Sequence, residues 1–155
     1  MIHRTNTFKV TWIMVMLAAI LLTASCGGNR SRNETPQPVL SGFEASFGKV
    51  KKTQWELTIQ HEYRASFIRD GHPSEAYFDP QGILLKTQTE LLSSELPSVI
   101  VSTVNGAFRG SSIAKAFQID EPGKDMIFRL HLKTGRKVSY VDLNADGVIM
   151  INTIR

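Results

Sequence analysis

Apolar and turn residues recur at a nearly constant separation through most of this chain, and that repetition narrows the possible folds more than any other feature. Phe47 matches Phe108, Trp55 matches Phe117 and Leu57 matches Ile119 at offsets of 61 or 62 residues. Further on, Tyr63 matches Phe128, Phe67 matches Leu132, Phe78 matches Leu143 and Gly82 matches Gly147, all at 65. The offset changes once, where the second half carries the turn-rich Asp120-Glu121-Pro122-Gly123-Lys124-Asp125 that the first half lacks. A single insertion within a hairpin loop is what a duplicated unit would show; chance matching of apolar residues is the alternative. The first copy is placed at about residues 41–90 and the second at about 94–155.

Each copy opens with a helical pattern. Ser41-Gly42-Phe43-Glu44 reads as a capping box, and Phe43, Phe47 and Val50 recur at helical spacing, which predicts a first helix from Ser41 to near Lys52. In the second copy Pro97 suits a first helical position, and Ile100, Val104 and Phe108 share one face, although Val99-Ile100-Val101 taken alone would suit a strand. Strand-like runs follow each helix. Trp55, Leu57 and Ile59 alternate with polar residues, as do Tyr63, Ala65 and Phe67, and Asp70-Gly71, Asp79-Pro80-Gln81-Gly82 and Asp146-Gly147 punctuate the runs as turns. Hairpins make the sheet antiparallel. The expected fold is α+β: a helix-plus-four-strand unit, duplicated, forming one antiparallel sheet of about eight strands with two helices on one face and the other face open to solvent.

The N-terminus carries an address. His3, Arg4 and Lys9 precede an uncharged apolar run from Val10 to Ala24, and small residues follow at once, the order of a secretory signal. The run is shorter than the roughly 20 residues of a spanning helix. Leu22-Thr23-Ala24-Ser25-Cys26-Gly27 resembles a bacterial lipobox, with Thr23 where leucine is more usual, and Cys26, the only cysteine, falls where lipidation needs its sulfur. A coincidental free thiol is the competing explanation. The expectation is a signal peptide over 1–25 and a flexible tether over 26–40, in which Gly27–Val39 reads GGNRSRNETPQPV, followed by one domain over 41–155. Acyl chains that each bury at roughly 0.8 kcal/mol per CH₂ would anchor such a protein to a membrane without spanning it. No intrachain disulfide is available, so the domain must be held by its own core.

Composition supports a folded domain, with 42% apolar and 21% charged residues. The formal charge of +4 falls to +2 once Arg4 and Lys9 leave with the signal, too little to argue for nucleic acid as a partner.

The order Phe47, Trp55, Tyr63, Phe67, then Tyr77-Phe78-Asp79-Pro80-Gln81-Gly82-Ile83-Leu84, Glu95-Leu96-Pro97 and Asp142-Leu143-Asn144-Ala145-Asp146-Gly147 resembles the PepSY-like, β-lactamase-inhibitor-protein-like (BLIP-like) domains of Gram-negative envelope lipoproteins. The likeness covers most of residues 41–155. It departs in having Phe47-Gly48 and Phe108-Arg109 where the family carries Phe-Pro and Tyr-Pro, and in lacking a tryptophan in the second copy. The resemblance implies a small secreted binding module, inferred in some members to restrain a protease or another envelope enzyme.

Enzymatic motifs are weaker. Asp142, Asn144, Asp146 and Gly147 match the start of a calcium loop, but its twelfth position would be Thr153, where a bidentate acid is needed, and a hairpin turn explains the same letters. His61, His72 and His131 lack metal spacing; His61 and His72 are expected in solvated turns. Ser93 and Ser94 beside Glu95 are expected to serve the start of the second helix. No catalytic residue, metal ligand or cofactor is therefore assigned.

The open sheet face is the better candidate. With Phe128, Leu130 and Leu132 turned to the helices, period-two geometry turns Arg129, His131 and Lys133 outward, and the same reasoning turns Arg64, Tyr77 and Tyr140 outward. Arginine and tyrosine suit a protein interface, whereas a solvated sheet face is the bland alternative. A one-residue slip would reverse every assignment. The leading expectation is a non-enzymatic envelope module, lipid-anchored through Cys26 to the outer membrane on its periplasmic side, that binds an unidentified protein or peptide and no nucleic acid. A structural or assembly lipoprotein acting through its anchor is the second, and a small hydrolase the third.

Overall fold

The computed structural model describes residues 35–154, so the expected signal peptide, Cys26 and most of the expected tether lie outside the described residues. Helix α1 spans Gln37–Phe47 and is followed by β1 (Gln54–Leu57), β2 (Tyr63–Arg69), β3 (His72–Phe78) and β4 (Leu84–Leu91). A short 3₁₀ turn over Ser93–Glu95 leads into α2 (Ser98–Ala107), then β5 (Ser112–Asp120), β6 (Ile127–Thr134), β7 (Lys137–Asn144) and β8 (Ile149–Ile154). The eight strands lie side by side in chain order, every neighbour antiparallel. Both helices pack on the same face, giving the expected α+β architecture. Among the described residues no helix is long and apolar enough to cross a membrane.

The first helix begins four residues before Ser41, inside the stretch expected to be tether. Pro36 is its N-cap, just as Pro97 is the N-cap of α2, at an offset of 61. A proline there fixes φ near the helical value and forfeits only an N–H that would have had no intrahelical partner. Ser41 and Glu44 are consequently interior helical residues, not a capping box. The helix also stops earlier than Lys52: Gly48 takes φ +70° and ends it after Phe47, and Val50 reaches the core from the connecting loop. The apolar face of α1 is Val39, Phe43 and Phe47, whose counterparts at the same offset are Ile100 and Val104 of α2 and Phe108 at its C-cap. Burial of Ile100 and Val104 explains why the β-branched run is helical despite its intrinsic preference.

The core consists of two clusters beneath the two helices. Val39 and Phe43 meet Ala65, Phe67, Ala76 and Phe78; Ile100 and Val104 meet Leu130, Leu132, Val141 and Leu143. Between them the helix face turns polar, where the buried Ser74 hydroxyl donates to the His72 carbonyl at 3.2 Å and lies 3.4 Å from the Thr89 hydroxyl. His72 is not a solvated turn residue. Asp70 and Gly71, both at positive φ, make the two-residue turn. The His72 ring is half-buried and joins the units, with Nδ1 3.1 Å from the Glu90 carbonyl and Nε2 3.3 Å from Glu95. Glu95 in turn accepts the Leu92 N–H at 2.7 Å, so the Ser93–Glu95 turn forms a separate brace ahead of α2.

The duplication is visible atom by atom in the β3–β4 and β7–β8 turns. Asp79 accepts the N–H groups of Gln81 and Ile83 at 2.9 and 2.8 Å; Asn144 accepts those of Asp146 and Val148 at 3.1 and 2.9 Å. β-Bulges fall at Tyr77/Phe78 and at Asp142/Leu143, again 65 apart. The calcium-like letters are thus a hairpin turn, with the Asn144 side chain committed to closing it. Each turn abuts its helix. A Cβ on Gly82 would overlap the Pro38 carbonyl, and one on Gly42 the Gly82 carbonyl, whereas in the second unit Thr103 stands at the place of Gly42 and donates to the Gly147 carbonyl at 3.1 Å.

One part of the sequence alignment between the copies is corrected. Trp55 faces the helices opposite Ala65, but Phe117 lies opposite Arg129 on the other face, and Ile119 opposite Ile127 with it. The counterpart of Trp55 is Ala116, buried opposite Leu130, so the offset is 61 throughout the first part. The cause is a β-bulge between Ile113 and Lys115, which inverts the alternation along β5.

Candidate functional site on the open sheet face

Strand register puts Arg64, Tyr77, Arg129, His131, Lys133 and Tyr140 together on the face turned away from both helices. Arg64 pairs with Tyr77 across β2 and β3; Lys115, His131 and Tyr140 form one row across β5 to β7, and Phe117, Arg129 and Asp142 the next. Five of the six form two chemically distinct groups, and Lys133 stands apart from both.

On the first unit the group is ionic. Arg64 contacts Glu56 through Nη2 and lies 3.4 Å from Glu75 through Nη1, and the Tyr77 hydroxyl donates to Glu75 at 2.7 Å. Lys86 sits 4.2 Å from the centroid of the Tyr77 ring. Burial works against the Arg64 charge, but contacts to Glu56 and Glu75 outweigh it and hold its pKa above the ordinary arginine value. Burial, reinforced by the hydrogen bond and charge of Glu75, pushes Tyr77 up to about 12, against the opposing pull of Arg64. Tyr77 is thus a fixed hydrogen-bond donor rather than an acid.

On the second unit the group is aromatic. His131 packs between Phe117 and Tyr140, with centroids 5.2 and 4.5 Å away and tilted to edge-on geometry. Beside it Arg129 clasps Asp142 through two hydrogen bonds of 2.8 and 2.7 Å. Asp142 is 4% exposed although it belongs to the open face, because Arg129 covers it. The clasp raises the Arg129 pKa against the cost of burial. Burial, together with the nearby charges of Lys115 and Arg129, lowers the pKa of His131, with Glu90 partly opposing them. The ring is therefore neutral near pH 7. Lys133, at the end of β6 opposite Val138, is exposed and stands apart from the ring cluster.

Two shallow depressions run over this face. One, of about 600 Å³, lies over the middle strands between Lys51, Lys52, Glu75, Glu90 and Lys115. The other, of about 460 Å³, is lined by Arg129, His131, Tyr140, Asp142 and Ile151. Gln88 and Phe117 border both, so Phe117 forms the ridge between them. Phe117, Asp142 and Lys115 lie on the same face and were not among the residues expected there from the sequence. Asp142 was legible, since it lies between the buried Val141 and Leu143 and opposite Arg129. Among the described residues no three His, Cys, Asp or Glu side chains come close enough to hold a metal ion. The arrangement supplies packed rings, fixed hydrogen-bond donors and two paired arginines.

No family model matches the sequence, and no curated protein matches it. Solved structures do. A DUF2874 family protein from Bacteroides uniformis superposes with a TM-score of 0.74 at 15% identity, over 78% of this chain and 90% of that one. A BLIP-like protein from Bacteroides fragilis gives 0.71 at 18% identity, over 78% and 86%. A protein from Bacteroides eggerthii, provisionally described as periplasmic, gives 0.73 at 14%, over 78% and 89%. At such identities the likeness is one of backbone: this chain has the BLIP-like fold.

Proposed function

We propose that this protein is a lipid-anchored envelope module that binds a protein or peptide across the open sheet face and performs no catalysis. The reading rests chiefly on one observation: Phe117, His131 and Tyr140 cluster on the solvent side of the sheet beside a clasped Arg129–Asp142 pair. Tyrosine, histidine and arginine placed on a rigid strand scaffold give large contact area with little ordering cost, the composition of a binding hot spot. The anchor reading is supported by the lipobox-like Leu22–Gly27 segment, and an outer-membrane, periplasm-facing location by that segment and by the description of one structural neighbour as periplasmic. The BLIP-like neighbour supports a binding module, for which the sequence resemblance suggests inhibition of an envelope enzyme as one mode of action.

The test is a photo-crosslinking amino acid placed at Thr153, opposite Tyr140 on the neighbouring strand, in cells producing the full chain. A discrete partner should be captured, and its yield should fall several-fold when Arg129 or Tyr140 is changed to alanine. Capture unaffected by both substitutions removes this face from the proposal. The anchor-driven structural role has its own signature: Cys26→Ala would abolish function while the face variants retained it.

A further inference from the structure

Every carboxylate on the open face is already matched. Glu56 and Glu75 are held by Arg64, Glu90 lies 3.5 Å from Lys115, and Asp142 is clasped by Arg129. The cations are not all matched. Among the described residues Lys51 and Lys52 on the rim of the larger depression, Lys86 over the Tyr77 ring, and Lys133 at the far end of β6 have no carboxylate within ion-pairing distance. The face therefore presents an apolar ridge, Phe117–His131–Tyr140, flanked on two sides by uncompensated positive charge. Lys52 takes φ +61°, an uncommon conformation for a residue with a side chain, in the turn that leads into β1.

From this geometry we infer that the occupant of the open face is an acidic extended segment of a partner protein, with an aromatic or large apolar residue seated against Phe117, His131 and Tyr140 and carboxylates on either side meeting Lys51/Lys52 and Lys133. The inference rests on the binding reading above and narrows it to a chemical class. Lysines on the sheet and on the turn that leads into β1 attract an acidic segment at long range and penalise a basic one, so they set selectivity and association rate more than total affinity. An acidic segment also leaves the internal pairs intact, since none of the matched carboxylates need be displaced.

The experiment uses the full chain in detergent micelles and three labelled twelve-residue peptides followed by fluorescence anisotropy. One has a central phenylalanine flanked by glutamates, the second the same phenylalanine flanked by lysines, and the third the glutamates with alanine at the centre. The first should bind, with affinity falling as salt rises; the second and third should bind at least about tenfold more weakly, a difference of roughly 1.4 kcal/mol. Lys51→Glu combined with Lys133→Glu should weaken the first peptide by about tenfold or more. Lys137→Glu on the helix face of β7, charge-matched to Lys133→Glu alone, should leave it unchanged. Lys51→Ala with Lys133→Ala, whose circular dichroism reports whether the fold survives, should fall between. Equal binding of the lysine peptide, indifference to the lysine variants, or no peptide binding at all overturns the inference. So does lysine-dependent binding to anionic phospholipid vesicles with none to peptide, which would make the face a membrane contact. If the crosslinker opposite Tyr140 still captures a partner when the peptides fail, the binding reading survives and only the acidic class is lost.

Discussion

The two units share a backbone and invert its chemistry. In the first, aromatic rings lie inside: Phe43, Phe47, Trp55, Phe67 and Phe78 make seven ring pairs under α1, while the open face above them carries the Arg64 ion network. In the second, mostly aliphatic side chains fill the core beneath α2, with Phe128 and Phe108 the rings among them, and Phe117, His131 and Tyr140 make the ring contacts on the open face. A common set of turns, bulges and helix caps thus supports two unlike interiors and two unlike surfaces. The scaffold is set by caps, turns and alternation, so surface chemistry was free to diverge once two copies existed. The more ring-rich surface lies on the unit whose core needs rings least.

The largest expected effects probe the two interiors. Phe78→Ala removes a fully buried ring that meets Phe43, Phe47 and Trp55, and should cost about 3–5 kcal/mol in chemical denaturation. Leu143→Ala at the matching position should cost about 2–5 kcal/mol. Because ring edges interlock, the first unit should also tolerate Phe78→Leu less well than the second tolerates Leu143→Met, which nearly conserves volume. Equal responses would show that the difference in core chemistry carries no mechanical consequence.

Next come the helix–turn contacts. Gly→Ala within a helix ordinarily stabilises by about 0.5–1 kcal/mol. Gly42→Ala should do the reverse and cost about 3 kcal/mol, because the new Cβ would overlap the Gly82 carbonyl and force α1 off the turn. At the equivalent site Thr103→Ala loses only one hydrogen bond to the Gly147 carbonyl and should cost about 1 kcal/mol. Thermal or denaturant unfolding of the two variants measures how much closer α1 sits to its turn than α2.

These contacts also show how much could be read in advance. The sheet, the paired helices and the outward placement of Arg64, Tyr77, Arg129, His131, Lys133 and Tyr140 followed from alternation and from turn letters, which are local and survive duplication. Two things did not follow. The start of α1 was hidden because Pro36 and Pro38 read as linker composition, while their meaning as a helix start needed Pro97 at the same offset. The face of Phe117 was hidden because a bulge is a backbone event with no residue signature here: counting by twos from the half-buried Ile113 sends Phe117 inward, and the extra residue at Ala114 sends it out. The ring between the two depressions was therefore the one that the repeat alignment misplaced by matching it to Trp55.

The ion pairs give a smaller contrast. Asp142→Ala deletes a buried carboxylate and leaves Arg129, whose side chain is 42% exposed and can recover water, so about 1–3 kcal/mol should be lost. Glu56→Gln in the more exposed Arg64 network should cost less than about 1 kcal/mol, and Glu75 should take over part of its role. Double-mutant cycles with Arg129 and Arg64 separate these pair energies from packing.

At neutral pH the smallest effects belong to Tyr77 and His131, and the two units should reveal them at opposite ends of the pH scale. In the folded chain burial and Glu75 keep the Tyr77 proton on beyond the pH at which the unfolded chain, near pH 10, releases it. That contribution is whole below pH 10 and is lost as pH rises towards about 12. His131 behaves oppositely. Its folded pKa is lowered by burial and by Lys115 and Arg129, so the unfolded chain takes up the proton first as pH falls. Its contribution is present above the unfolded value near 6.5 and is lost as pH drops through the lower folded value. Denaturation midpoints measured from pH 5 to pH 11 should therefore show Tyr77→Phe flattening only the alkaline limb and His131→Gln only the acid limb. An acid limb untouched by His131→Gln would mean that the ring between Phe117 and Tyr140 is as hydrated when folded as when unfolded, and the desolvated ridge on which the proposed recognition rests would go with it.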